Sequence, residues 1–203
     1  MKKNFLIKMP GYRQVEYLLI LNPNQLLQKK IMSIKNEIHA QYQTSIPLNG
    51  KPNIRLVKFF SWEMMEEKLI NHFRTIAMGM PPFKVSLKDY GSFPSHTLFI
   101  NVTTKIPLQM LVKELRSAKN LMRSPDQEPH FINEFYIPIA IKLNPAQYEE
   151  MWLAFSHRQF TGSFIADSML LLKKREGEKN YLIAGSFQFM NLPVSVKQGE
   201  LFA

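Results

Sequence analysis

The chain has 203 residues, of which 45% are hydrophobic, and its 26 Lys and Arg against 16 Asp and Glu give a formal net charge of +10. This length can bury one core or two fused lobes, and no apolar stretch reaches the roughly 18 residues that a membrane-spanning helix needs. The absence of cysteine excludes disulfides, thiolate metal sites and a Cys nucleophile, and the short apolar run after Met1 is unlike a signal peptide, so we expect a cytoplasmic protein.

Strand and helix patterns alternate along the first half of the chain. An apolar run at 15–21 predicts a strand. Asn22 before Pro23 predicts a capped start for a helix that ends at Tyr42. The patterns then predict a loop at 43–52, a strand at 53–60, a helix at 62–77 and a strand at 83–90.

A turn-rich passage at 89–95 joins this half to a second one with the same order of elements. In the second half, the patterns predict strands at 96–102, 136–143 and 164–173. They predict helices at 107–122 and 145–157, and a loop at 123–134. A turn at 176–180 predicts a final hairpin with a strand at 181–190.

The spacings in the two halves are close to each other. Asn53 follows Leu18 by 35 residues, and Tyr136 follows Leu98 by 38. Such spacings indicate one βαβαβ unit used twice. We therefore expect a single domain over 1–203, built of two pseudo-repeats at about 12–92 and 93–193, with a flexible tail at 194–203.

Three segments of the chain, together with this duplication, carry a family resemblance: 51–56, 91–100 and 136–142. Over roughly 12–193 the chain resembles the 2H phosphoesterase superfamily, which includes 2′-5′ RNA ligase-like proteins and cyclic nucleotide phosphodiesterases. The resemblance implies an α+β fold, bilobal and duplicated, in which two mostly antiparallel sheets face a central cleft and the helices lie outside. Each half of such a protein carries a His-x-Thr or His-x-Ser motif, and the two motifs face each other across the cleft.

The chemistry of that superfamily explains the paired motifs. One imidazole activates the incoming hydroxyl and the other protonates the leaving oxygen, because both have a pKa near neutrality. The hydroxyl residues would hold phosphate oxygens while charge develops. Strand alternation places the first and third motif residues toward the cleft and the second and fourth toward the core.

This sequence keeps the core-facing motif positions and changes the chemical ones. The core positions remain aliphatic, as Ile54, Leu56, Ile137 and Ile139. Asn53 and Tyr136 replace the histidines, and Arg55 and Pro138 replace the hydroxyl residues. Asn and Arg cannot exchange a proton near pH 7, Tyr has an unperturbed pKa of about 10, and Pro has no polar side chain. No catalytic residue of the standard mechanism is therefore expected.

The four replacements are instead candidate ligand-binding residues. Arg55 could grip a phosphate in a fork, or it could be an exposed arginine that pairs with a carboxylate. Tyr136 could stack on a base or be a half-buried aromatic at a strand end. Pro138 predicts a bulge or a lost pairing, because it cannot donate to a strand ladder.

His96 and His130 are weak catalytic candidates that lie near the motif regions. A histidine at a strand start is more often a hydrogen-bonded structural residue. Metal binding has no support, since no His pair occurs at i and i+4 and no carboxylate cluster has ligand spacing. We expect no cofactor and no metal.

These observations favour a catalytically degenerate, monomeric 2H-like protein that binds RNA or a nucleotide phosphate in the interlobe cleft. The positive charge suits a polyanion, although scattered lysines also suit a solvated surface. One alternative is an active, divergent RNA 2′,3′-cyclic phosphodiesterase or 2′-5′ RNA ligase-like enzyme that uses His96, His130 or Tyr136. Another alternative is a protein-interaction scaffold without nucleotide binding.

Overall fold

The computed structural model describes residues 11–42, 50–94, 96–125 and 127–193. The predicted tail at 194–203, most of the predicted loop at 43–52 and the first ten residues lie outside these ranges. Four helices and nine strands occur within them: β1 (Gln14–Leu21), α1 (Gln25–Tyr42), β2 (Ile54–Trp62), α2 (Glu66–Gly79), β3 (Phe83–Phe93), β4 (Thr97–Val102), α3 (Ile106–Leu115), β5 (His130–Phe131), β6 (Tyr136–Ile141), α4 (Pro145–Phe155), β7 (Thr161–Ala166), β8 (Ser168–Arg175) and β9 (Leu182–Gln188). Across the described ranges, every helix is too short or too polar to span a membrane.

The strands form two sheets in which every pairing between neighbours is antiparallel. The first sheet has the order β5-β2-β1-β8-β9, and the second has the order β6-β4-β3-β7. The α+β fold with two antiparallel sheets is therefore confirmed. Neither sheet comes from one half of the chain, because β3 joins the second sheet while β8 and β9 return to the first.

The strand predicted at 164–173 is in fact two strands in different sheets. β7 ends at Ala166 and pairs with β3, whereas β8 begins at Ser168 and pairs with β1. The break falls at Asp167, whose carbonyl accepts a hydrogen bond from the Phe189 amide at 2.7 Å. The polar pair Asp167-Ser168 separates two hydrophobic runs, but nothing in this local pattern shows that the two runs join different sheets.

The start of α1 also differs from its prediction. The helix begins at Gln25, and Asn24 caps it by accepting a hydrogen bond from the Leu27 amide at 2.9 Å. Asn22, which the Asn-Pro pattern indicated as the cap, lies two residues earlier and is free for another role. Asn144 stands before Pro145 in the same Asn-Pro pattern, and here the Asn does cap the helix, forming a capping box with Gln147 at the start of α4.

A buried aromatic chain fixes α2 against the first sheet. Tyr17 of β1 stacks on Phe59 of β2, which contacts Phe73 of α2, and Phe73 contacts Phe187 of β9. These four rings are almost completely buried. Because one face of the first sheet is covered in this way, its opposite face is available to line a cleft.

Candidate functional site: the cavity between the sheets

A cavity of about 750 Å³ lies between the uncovered face of the first sheet and strand β6. Its floor is apolar and is formed by side chains of β1, β8 and β9: Leu18, Ile20, Leu170, Leu172 and Ile183. Residues 138–141 of β6 form the facing wall, and the segments 50–53 and 179–181 lie at the rim. The cavity thus combines an apolar surface with a polar edge.

Three of the four predicted ligand-binding residues meet at this cavity. Asn53, Arg55 and Pro138 line it, and Tyr136 is absent from its wall. Asn53 is held by a 2.9 Å hydrogen bond from its side-chain amide to the Lys51 carbonyl. Arg55 is exposed, as strand alternation predicts for a residue between the buried Ile54 and Leu56.

Matching bulges relate the two motif strands. In the ladder between β1 and β2, Arg55 pairs with Ile20 and Val57 with Leu19, so Leu56 is the extra residue. In the ladder between β4 and β6, Pro138 pairs with Phe99 and Ala140 with Leu98, so Ile139 is the extra residue. Arg55 and Pro138 therefore hold the same position relative to a bulge, which is a feature that re-aims strand side chains.

Pro138 stands directly before one of these bulges, as its missing amide predicted. The strand that carries it is at the edge of the second sheet, with β4 as its partner in that sheet. A proline is tolerated at an edge because an amide that faces away from the ladder needs no strand partner.

Tyr136 belongs to an aromatic cluster on the second sheet. Its ring lies 4.8 Å from that of Phe99 and 5.1 Å from that of Phe93, measured between centroids. Phe99 is buried, and Tyr136 keeps part of its surface exposed. Tyr136 is thus the half-buried aromatic of the alternative interpretation, with an exposed portion that a base could still contact.

Neither histidine candidate reaches the cavity wall. His96 stacks on Phe93, and its Nδ1 atom lies 2.9 Å from the Pro94 carbonyl oxygen. His130 lies in β5, opposite Lys58 at the far edge of the first sheet. Within the ranges that the structure describes, no group of three or more His, Asp or Glu residues is arranged to hold a metal ion.

Four cations line the cavity: Lys35, Lys51, Arg55 and Lys179. No acidic residue of the described chain is on the cavity wall. Arg55 forms no ion pair with any described carboxylate. The sequence interpretation identified Arg55 and missed the three lysines. The helical periodicity could have identified Lys35, because it lies on the buried face of α1 that Leu27, Ile31 and Ile38 define.

Lys35 is a buried lysine, with only 7% of its surface exposed. Its ammonium donates a 2.9 Å hydrogen bond to the Gly50 carbonyl. Burial lowers the pKa of Lys35 below its ordinary value, because the charged form loses hydration. An anion that enters the cavity would stabilise the charged form of Lys35, because it would replace part of the lost hydration.

Glu16 organises a second charged cluster on the same sheet face. Its carboxylate lies 2.9 Å from Lys58 Nζ and 3.3 Å from Lys174 Nζ, and it accepts a hydrogen bond from the Tyr181 hydroxyl. Burial alone would raise the pKa of Glu16, but these hydrogen bonds and positive charges outweigh it and hold the pKa below its ordinary value. Burial and the bond to Glu16 raise the pKa of Tyr181, so its hydroxyl stays protonated.

Comparisons with known structures agree with this architecture. The 3′-AMP complex of Escherichia coli LigT matches with a TM-score of 0.55 and 13% identity, and the match covers 87% of this chain and 98% of that one. A Thermus thermophilus protein matches with a TM-score of 0.59 and 14% identity, over 86% of this chain and 98% of that one. LigT bound to NADP+ matches with a TM-score of 0.55 and 15% identity, over 87% and 99% of the two chains. At these identities the likeness shows the fold.

The sequence itself was compared with curated proteins and with family models. No curated protein matches it. The model of the 2′-5′ RNA ligase superfamily matches residues 26–178, which include both motif strands and most of the cavity wall. With the two antiparallel sheets and the cleft between them, this match shows that the chain belongs to the 2′-5′ RNA ligase superfamily of 2H phosphoesterases.

Proposed function

We propose that this protein binds RNA or a nucleotide phosphate in the cavity and does not use the standard 2H acid–base pair. The observation that carries the proposal is the cavity wall itself, where four cations occur without a carboxylate among the described residues. A phosphate ester is the common biological ligand for such a wall, because its charge attracts every one of these groups.

Arg55 is the central phosphate contact in this proposal. Its guanidinium is exposed at the cavity, has no described carboxylate to compete for it, and can present two parallel N–H donors to a phosphate. Asn53, on the same strand face, adds an amide. The apolar floor of the first sheet offers a surface for a base. LigT has been solved with 3′-AMP, NADP+ and ATP, and these ligands support the same class here.

Loss of standard catalysis follows from the residues at the motif positions. Asn53, Arg55 and Pro138 cannot act as proton donors and acceptors near neutral pH, and the two histidine candidates are outside the cavity wall. Tyr136 is engaged with Phe93 and Phe99. We therefore infer a binding role in which phosphate is held without proton transfer.

Titration of a fluorescent RNA of about ten nucleotides tests the binding role. We expect affinity that falls steeply as salt rises, since phosphate contacts release counterions. Arg55→Met should weaken binding about tenfold, the effect of one lost charge-assisted contact. The matched control is Lys84→Met, which removes an exposed cation of β3 that is not on the cavity wall. Equal losses in both variants, or no binding at low salt, would contradict the proposal.

Incubation with 2′,3′-cyclic nucleotides and 2′-5′ linked oligonucleotides tests the catalytic part. The parent protein should release no product beyond a control without protein. Turnover that disappears in His96→Ala or His130→Ala would instead identify an active, divergent phosphodiesterase.

A further inference from the structure

The most unusual charged side chain of the cavity is Lys35, on the inner face of α1. Lysine is almost never buried unless it is paired, because removing an ammonium from water is costly. Here the neighbours of Lys35 along the helix stripe are Ile31 and Ile38, and its one described hydrogen-bond partner is the neutral Gly50 carbonyl. An ammonium has three donors, so this site has unused capacity that opens on the cavity.

Asn22 gives an independent observation at the same cavity. Its side-chain oxygen is buried and has no hydrogen-bond partner among the described residues. Asn22 also lines the cavity, and it is not needed as a helix cap because Asn24 performs that role. A buried amide without a partner is costly unless a ligand supplies one. A ribose hydroxyl or a base amine would be such a partner.

The other lysines on this sheet face are already neutralised. Lys58 and Lys174 both contact Glu16, at 2.9 Å and 3.3 Å. A phosphate near them would meet the Glu16 carboxylate, whereas a phosphate near Lys35 would meet no described carboxylate on the cavity wall. The cavity-wall cations without a described carboxylate partner are therefore Lys35, Lys51, Arg55 and Lys179.

Lys35 and Arg55 reach the cavity from different elements. The Lys35 ammonium is held at the Gly50 carbonyl, before the start of β2. Arg55 is in β2 itself and acts electrostatically on Tyr181, which lies just before β9. The two cations therefore have neighbours from different segments of the cavity wall.

We propose that Lys35 forms a second phosphate-binding position, with the Asn22 side-chain oxygen beside it to accept a hydrogen bond from the ribose or base, and that the cavity selects nucleotide ligands with two separate phosphate groups. This inference rests on the proposed function and adds the substrate class. The two phosphates can belong to one nucleotide, as in a 3′,5′-bisphosphate, or to successive nucleotides of a short strand. In both cases Arg55 holds one phosphate and Lys35 holds the other.

Calorimetric titration with three ligands tests this selection: adenosine 3′-monophosphate, adenosine 3′,5′-bisphosphate and a diadenylate with a 3′-phosphate. The wild-type protein should bind at least one two-phosphate ligand about tenfold more tightly than the monophosphate. Lys35→Met should remove that preference, because it should weaken the two-phosphate ligands more than the monophosphate. Lys35→Arg, which keeps the charge, should retain most of the preference. Arg55→Met should weaken all three ligands.

Thermal unfolding of the free variants separates ligand binding from a purely structural role. Lys35→Met places an apolar side chain in an apolar stripe, so its melting temperature should equal or exceed that of the wild type. If Lys35 only fastens α1 to Gly50, the variant should melt lower and lose affinity equally for all three ligands, which overturns the inference. Unchanged preference in Lys35→Met also overturns it. Binding of all three ligands with equal affinity by the wild type rejects the inference alone, whereas no binding of any ligand rejects the proposed function as well.

Discussion

Arg55 and Pro138 are structural counterparts, since each pairs with the adjacent strand one residue before a bulge. The residues before them, Ile54 and Ile137, are both completely buried. A bulge fixes which side chains reach each face of a sheet. The two altered motifs can therefore be compared position by position, which the sequence alone allowed only through weak local similarity.

This equivalence predicts that both motifs can be restored together. The change consists of four substitutions: Asn53→His, Arg55→Thr, Tyr136→His and Pro138→Thr. We expect a folded protein, because none of the four residues is buried, with stability lower by roughly 1–3 kcal/mol because Tyr136 leaves two aromatic neighbours. Hydrolysis of a 2′,3′-cyclic nucleotide, assayed beside the inactive parent, should appear in the variant.

The control for this restoration carries only Asn53→His and Arg55→Thr. It has one imidazole where the mechanism needs two, so it should remain inactive. A parent protein that is active, and loses activity on the four changes, would refute the proposed loss of catalysis.

Glu16→Gln should affect stability and binding in opposite directions. The variant leaves Lys58 and Lys174 without their carboxylate, so we expect a loss of about 1–2 kcal/mol at pH 7 in urea unfolding. The same change exposes two positive charges on the cavity side of the sheet, and RNA should bind more tightly. Glu134→Gln, at an exposed loop position, is the control and should alter neither measurement.

The pH dependence of that difference has a definite sign. The pKa of Glu16 is lower in the folded protein than its ordinary value of 4.5. Its stabilisation is therefore complete above about pH 5 and is lost as the pH falls through the folded pKa. Unfolding free energies of wild type and Glu16→Gln should converge as the pH falls below 4.5 and through the lower pKa of folded Glu16. A difference that grows on acidification would contradict this assignment.

Gly91→Ala should destabilise the second sheet. A methyl group at this position would lie 2.5 Å from a ring carbon of Phe99 and 2.6 Å from the Asn101 side-chain oxygen. Phe99 cannot retreat without disturbing Tyr136. We expect a loss of about 1–3 kcal/mol in denaturant unfolding, typical of overpacking. Gly50→Ala, where no atom of the described residues lies within 4 Å of the added methyl, should stay close to wild type.

The two asparagines before α1 provide a direct test of the helix cap. Asn24→Ala removes the acceptor for the Leu27 amide and should cost about 1 kcal/mol. Asn22→Ala removes a buried oxygen that has no described partner, so its cost in thermal unfolding should be close to zero. The reverse order of stabilities would show that the Asn-Pro pattern had identified the cap correctly.

Local patterns predicted the parts of the fold that depend on neighbouring residues. The Asn144 cap and the alternation of Ile54, Arg55 and Leu56 follow from hydrogen bonding and strand geometry within a few residues. The change of sheet at Asp167 depends on distant partners, and no local pattern records it. Strand alternation is also local, and three of the four predicted ligand residues do line the cavity. The role of Lys35 depends on its burial by distant residues, so it was recognised only from the structure.

The return of β8 and β9 to the first sheet also determines when the binding surface can exist. Glu16 and Tyr181, which meet in the folded protein, are 165 residues apart in the sequence. Contacts of such separation form late, because the chain must close a long loop before it gains any stabilisation. During synthesis, one edge of β1 therefore stays unpaired until β8 has left the ribosome. A nascent chain stalled before residue 168 would carry both motif strands and still lack the part of the cavity floor that β8 and β9 provide.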